Sequence, residues 1–320
     1  MSELFSKIAG TGSYLPEKVL TNDDMAKIVD TSDEWIFQRT GIKERHIAAD
    51  GELTSDLAVR AASAALESAG IPASGIDLIV LATTTPDNLF PATACRVQAK
   101  LGAASAVAFD IQAVCSGFLF ALAAADQLVK SGGYGRALVI GAETLSRIVD
   151  WSDRSTCVLF GDGAGAVVLE ATEEKTGVLS SVIKSDGAYY DILKTTSGPS
   201  VSGDVGKIYM SGQDVFKLAV AKVPEISAAA VEKAGLAMSD VDWFIPHQAN
   251  ARIIESAIKR MGMPEEKVVM TIGSQANTSA ASIPISLDFA VNGGKIKRGD
   301  RVLLTAMGGG FTWGSLLFEF

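Results

Sequence analysis

Three side chains in this sequence have the chemistry of a nucleophile, an imidazole and a carbonyl-directed amide, and each stands in a short turn-like motif. Cys115 lies in AVCSGF (Ala113–Phe118), His247 in PHQAN (Pro246–Asn250) and Asn277 in NTSAAS (Asn277–Ser282). A thiol at the start of a helix feels unpaired N–H groups and the positive dipole end, which favour thiolate over thiol. Residues Phe118 to Ala125 are apolar on every side and predict a buried helix, where Cys115 fits either as nucleophile or as core thiol. An imidazole is the usual partner of a reactive thiol near neutral pH. The chain has two, and His46 sits in a charged run that reads as solvated surface. His247 follows a short apolar run, and sheets present functional groups at the carboxyl ends of their strands; a capped core histidine fits the same turn. Asn277 opens a predicted helix, where its side chain is either an N-cap or an N–H₂ donor to an oxygen gaining negative charge. The glycines of GGGFTWG (Gly308–Gly314) either form a plain turn or bring a backbone N–H beside that of Cys115, around an oxyanion.

The elements that must position these groups repeat. At an offset of 165 residues Ala64, Ala65, Glu67, Ala69, Gly70, Ser74 and Asp77 recur as Ala229, Ala230, Glu232, Ala234, Gly235, Ser239 and Asp242. Each copy reads as a helix, a glycine stop, a short loop and a strand. An offset of 162 lays the predicted Asn277 helix on the Cys115 helix, with Asp126 over Asp288 and Gly132 over Gly294. The apolar runs Ala137–Ala142 and Ala164–Glu170 are mirrored by Asp300–Ala306 and Ser315–Phe320. A period of half the chain means two similar α/β units, 1–172 and 173–320, not a solenoid. Strands alternating with helices predict mostly parallel, buried sheets. A pseudo-twofold between the units would bring Cys115, His247 and Asn277 to one seam.

Composition narrows the function. A chain of 320 residues with 48% apolar content can bury a large core. Its net charge of −9 provides no global field for nucleic acid. Cys95, Cys115 and Cys157 form no ligand-spaced cluster, so neither a disulfide scaffold nor a metal site is expected, and a reducing compartment is. No apolar run reaches the ~18 residues of a membrane span, and no charged-then-apolar leader opens the chain, so a cytoplasmic protein is expected.

The motifs AVCSGF, PHQAN, NTSAAS and GGGFTWG, with DEWIFQRTGIKERHIA (Asp33–Ala48) and GDGAGA (Gly161–Ala166), closely resemble β-ketoacyl-acyl-carrier-protein synthase III, a thiolase-superfamily condensing enzyme. The resemblance runs the full length. It implies a duplicated, five-layered αβαβα fold with two mixed, mostly parallel sheets, and a homodimer. It implies that Cys115 takes an acyl group from acetyl-CoA or another short acyl-CoA. His247 and Asn277 would then hold the thioester carbonyl of malonyl-acyl-carrier protein during decarboxylation, and the N–H groups of Cys115 and Gly309 would form the oxyanion hole. Trp35 and Arg154 would sandwich the CoA adenine, Arg39 would meet its phosphates and Asn250 would line the pantetheine tunnel. Phe90 would shape the acyl pocket, across the dimer interface. Lys217, Gln248, Arg252, Lys259 and Arg260 would dock the acidic carrier protein, and no metal or redox cofactor is required. The same residues in relatives of secondary metabolism take other primers, and that alternative stays open. The family often has glycine where this chain has Ala276, which bears on pocket shape.

Overall fold

The computed structural model describes residues 3–320. Two large sheets carry the fold. The first is built from β1 (Phe5–Tyr14), β2 (Leu78–Ala82), β3 (Val107–Ile111), β4 (Arg136–Thr144) and β5 (Asp162–Thr172), in the order β1-β5-β4-β2-β3. The second is built from β6 (Gly177–Ser185), β7 (Trp243–Pro246), β8 (Arg301–Gly308) and β9 (Thr312–Glu319), in the order β7-β8-β9-β6. Read from the other edge, the second sheet repeats the first strand for strand, and the place of β3 is taken by one parallel bridge, Phe244 to Val268. Pairing directions repeat too: β2 lies parallel to β3 and β4, β7 parallel to β8, and the β4-β5-β1 and β8-β9-β6 ladders are antiparallel. The sheets are therefore mixed, and the expected excess of parallel pairs is not found. No α-helix lies between β4 and β5 or between β8 and β9, so these strands return antiparallel.

Helices fill the layers around the sheets. They are α1 (Asp33–Thr40), α2 (Thr54–Ala69), α3 (Thr93–Leu101), α4 (Gly117–Lys130), α5 (Gly212–Lys233), α6 (Ala251–Met261) and α7 (Ser282–Asn292). Strand residues alternate between cores with the period of two that a pleated strand imposes. Leu78, Val80 and Ala82 of β2 pack inward with Leu119 and Leu122 of α4 and with Ile283 and Leu287 of α7. Ile79 and Leu81 pack outward with Leu57, Ala61 and Ala65 of α2 and Val97 of α3. On the far side Leu303 and Leu317 meet Val231 of α5 and Ile254 of α6. The layers run helix, sheet, helix, sheet, helix, with α4 and α7 in the middle. The aspartates matched by the repeat anchor these two helices to β1: Asp126 accepts from Ser6 Oγ at 2.5 Å, and Asp288 from Thr11 Oγ1 at 2.7 Å and Ser13 Oγ at 2.6 Å. Among the described residues no helix is long and apolar enough to cross a membrane.

Two local expectations are revised. Cys115 does not start the α-helix itself: β3 ends at Ile111, a 3₁₀ turn holds Val114–Ser116, and α4 starts at Gly117. His46 is half-buried on a short strand, its Nδ1 on the carbonyl of Pro16, and is not a solvated side chain.

Candidate active site

The seam between the halves encloses a cavity of about 1800 Å³, and Cys115, His247 and Asn277 all line it. Cys115 follows β3 at its carboxyl end, in the turn that leads into α4. That turn is stapled to the glycine loop: Ser116 Oγ lies 2.8 Å from both the Ala113 carbonyl and Thr312 Oγ1, and Thr312 Oγ1 donates to the same carbonyl at 3.0 Å. A Cβ on Gly308 would stand 2.6 Å from the Cys115 nitrogen. Glycine is needed there because two backbones touch. Sequence reasoning picked out the loop but not this contact.

Burial pushes the Cys115 thiol up to about 12, and the Ser279 hydroxyl pulls in the opposite direction. The expected net preference for thiolate is therefore not found in the unliganded site. The α-helix begins two residues downstream of Cys115, and desolvation outweighs its dipole.

His247 caps the carboxyl end of β7, its N–H donating to the Thr305 carbonyl at 2.8 Å. Ser282 Oγ lies 2.6 Å from its Nδ1 and also receives the Gln248 N–H at 3.3 Å. Among the described residues Nδ1 is the acceptor within reach of that hydroxyl, so we assign the ring hydrogen to Nε2. Nε2 is buried without a protein partner. Burial lowers the His247 pKa to about 3, so the ring is neutral at physiological pH. His247 is thus an uncharged donor.

Asn277 is not the N-cap of a long helix. Its backbone bridges to Leu159 and Gly161, and its Oδ1 accepts from the Ser279 N–H at 2.9 Å. Holding the oxygen assigns the N–H₂ end to the cavity. Ala276, before it, has φ 57 and ψ −156, a region that glycine adopts with far less strain.

The remaining site expectations divide. Trp35 and Arg39 project from α1, and the guanidinium carbons of Arg39 and Arg154 stand 4.4 and 5.3 Å from the centre of the Trp35 ring. Arg154 is anchored by the carbonyl and carboxylate of Asp30, a partner the sequence did not reveal. These three residues, Asn250 and Arg252 line the cavity. Asn250 also caps α6, accepting from the Arg252 N–H at 2.9 Å. Phe90 does not line the cavity of its own chain: it is 81% exposed, next to Leu89, which is exposed but does line the cavity. Gly309 follows Gly308 in the loop and packs against Leu193. Lys217, Arg252, Lys259 and Arg260 are exposed on the neighbouring helices α5 and α6, joined where Arg260 donates to the Val220 carbonyl. Gln248 corrects the docking set, because none of its surface is exposed. Its amide donates to the Pro246 and Val269 carbonyls and accepts from Thr271 and Ile272 N–H, a strut under His247.

Fold and site define a class: a duplicated five-layered thiolase fold with a cysteine, a neutral histidine and an asparagine facing one buried channel. Family models described as 3-oxoacyl-[acyl-carrier-protein] synthase III and its C-terminal part match residues 109–187 and 231–320. The chain is 58% identical over 318 residues to a β-ketoacyl-[acyl-carrier-protein] synthase III of Hyphomonas neptunium, covering 98% of each chain. The crystal structure of 3-oxoacyl-[acyl-carrier-protein] synthase III from Aquifex aeolicus superposes with a TM-score of 0.94 at 51% identity, covering 98% of this chain and 100% of that one. The priming β-ketosynthase of the R1128 polyketide pathway gives a TM-score of 0.95 at 35% identity, covering 100% of this chain and 97% of that one. This chain belongs to the β-ketoacyl-acyl-carrier-protein synthase III family and is an acyl-transferring condensing enzyme.

Proposed function

We propose that this enzyme joins a short acyl group, taken from acetyl-CoA, to the decarboxylated malonyl unit of malonyl-acyl-carrier protein, the condensation that initiates fatty-acid synthesis. Cys115 Sγ attacks the CoA thioester and holds the acyl group. The malonyl thioester carbonyl then sits between His247 Nε2–H and the Asn277 N–H₂. As CO₂ leaves, negative charge grows on that oxygen and both hydrogen bonds strengthen. The enolate carbon attacks acyl-Cys115, and the N–H groups of Cys115 and Gly309 hold the second oxyanion. Charge is managed by neutral protein donors, so the scheme uses no metal or redox cofactor. The alternative, a condensing enzyme of secondary metabolism, is not favoured: the 58% identical relative is named a synthase III, and the polyketide ketosynthase stands at 35%.

The surroundings support substrate-binding roles. Trp35, Arg39 and Arg154 form a cationic aromatic cluster at the cavity wall that suits a nucleotide base and phosphates. Lys217, Arg252, Lys259 and Arg260 gather positive charge beside the cavity on a chain of net charge −9, where an acidic carrier protein would dock. β3 is an edge strand, and Leu89 and Phe90 project from the loop after β2. Pairing of β3 across a homodimer would close that edge and send Phe90 to the partner's acyl pocket. The halves 1–172 and 173–320 are the two copies of the repeat, and the protein works in the cytoplasm.

The observation that carries this reading is the convergence of a thiol, a neutral imidazole with an unpartnered Nε2, and an oriented carboxamide on one cavity. His247→Ala and Asn277→Ala test it. Both variants should still take acetyl from acetyl-CoA onto Cys115, and both should lose decarboxylation of malonyl-carrier protein by about 100- to 1000-fold. Decarboxylation at the parental rate in either variant would remove that residue from the scheme.

A further inference from the structure

Glu143, at the carboxyl end of β4, is fully buried, and the reaction as described does not use it. Its side chain gathers three consecutive residues of the loop after β2. Thr85 Oγ1 donates to it at 2.7 Å, Thr84 Oγ1 at 2.9 Å, the Thr84 N–H at 3.1 Å and Thr83 Oγ1 at 3.3 Å. Side chains on an extended chain alternate sides, so three successive hydroxyls reach one carboxyl only where the chain curls around it. Thr85 Oγ1 already receives the Thr144 N–H at 2.8 Å, and Thr83 Oγ1 the Thr85 N–H at 3.1 Å, so each gives its own hydrogen to Glu143. Thr54 Oγ1 adds a hold from α2, donating to the Thr85 carbonyl at 2.6 Å. The clamped segment is a wall of the site: Thr83, Thr84, Thr85 and Leu89 line the cavity with Cys115. The Thr83 N–H donates to the Ile111 carbonyl at 3.2 Å, at the end of the strand that leads to the nucleophile. Ala82, just before it, has its methyl 3.2 Å from where a Cβ on Gly117 would stand, at the start of α4. Beyond the clamp the loop turns outward, with Leu89 74% and Phe90 81% exposed.

We infer that Glu143 is a positioning residue that sets primer specificity: it holds Thr83, Thr84 and Thr85 against the acyl group on Cys115 and so limits the primer to a short chain. The inference rests on the proposed acylation of Cys115. The role needs both polar ends of the side chain in place, not its charge. Burial raises the Glu143 pKa, and a protonated carboxyl still accepts from Thr85 and Thr83 while its own hydrogen goes to Thr84 Oγ1. Trp35 and Arg39 stand on α1, and Arg154 lies beyond β4, so the clamp acts on the acyl end of the substrate and not on CoA. Every acyl-CoA brings the same CoA, which makes the ratio between primers a readout of this wall alone.

The test compares kcat/KM for acetyl-CoA and hexanoyl-CoA in the parent, Glu143→Ala and Glu143→Gln, after peptide mapping has located the acyl group of the parent. Acyl on a residue other than Cys115 overturns the proposed function and this inference with it. A parent acylated on Cys115 that takes hexanoyl as readily as acetyl overturns the inference alone. Glu143→Ala should lower the acetyl preference about tenfold. Glu143→Gln should retain it, because the amide keeps an acceptor for Thr85 and a donor for Thr84. Decarboxylation of malonyl-carrier protein, which the clamp does not touch, should stay near parental in both. A parental primer ratio in folded Glu143→Ala would overturn the clamp, as would an equal loss of preference in Glu143→Gln. If Glu143→Ala fails to fold, Thr85→Val decides: it removes one hydroxyl of the clamp at nearly constant shape and should shift the ratio towards hexanoyl, and an unchanged ratio overturns the inference.

Discussion

Ser282 Oγ stands 2.6 Å from Nδ1 of His247, so a hydroxyl on the central helix α7 decides which imidazole nitrogen carries the hydrogen. The residue proposed to hold the malonyl carbonyl during decarboxylation comes from a loop after β7. Its tautomer is set by a helix 35 residues further on.

The first prediction follows from that contact. Ser282→Ala leaves Nδ1 without its donor and frees the ring to protonate there. Decarboxylation of malonyl-carrier protein should fall about 10- to 100-fold, as for loss of an orienting partner, while acetyl transfer to Cys115 changes far less. Separate single-turnover assays of the two steps check this.

A second prediction concerns pH. His247 has a folded pKa of about 3 against an ordinary 6.5. Between these values the unfolded chain binds the proton and the folded protein does not, so this group's contribution to stability is intact above 6.5 and is lost as pH falls towards 3. Chemical denaturation of parent and His247→Gln across that window should show a smaller acid loss in the variant. The decarboxylation step should have no inflection near 6.5, where an unperturbed histidine would give one.

Gly308→Ala should be far more damaging than a methyl group suggests. Its Cβ would meet the Cys115 nitrogen at 2.6 Å, and backbone cannot give way there as a flexible side chain can. Acylation should drop by about 100-fold, since displacement of a nucleophile by about an ångström costs that much. Acetylation kinetics measured beside a thermal melt separate this from unfolding.

Trp35→Ala should raise KM for acetyl-CoA about tenfold and leave kcat close to parental, because stacking on a remote base contributes binding that is uniform through the reaction. Steady-state kinetics with acetyl-CoA varied check it.

Much of this was legible because chemistry-bearing types are scarce. Two histidines and three cysteines leave few combinations, and the repeat visible from Ala64 and Ala229 onwards announced two like halves around one seam. The neutral state of His247 was not legible, because it depends on burial and on Ser282, which sequence spacing does not join to it. The thiolate expectation for Cys115 failed for the same reason: a dipole is local and can be read from a helix start, whereas desolvation depends on the whole fold. The resemblance placed Gln248 in the docking set, yet both polar ends of its side chain are consumed by neighbouring backbone.

The most direct measurement is intact-protein mass spectrometry with peptide mapping, first with acetyl-CoA alone and then after malonyl-carrier protein is added. One acetyl group should appear on Cys115, be absent in Cys115→Ala, and leave as acetoacetyl-carrier protein when the second substrate arrives. Acetyl on another residue, or acetyl-Cys115 that persists in the presence of malonyl-carrier protein, would contradict the central claim.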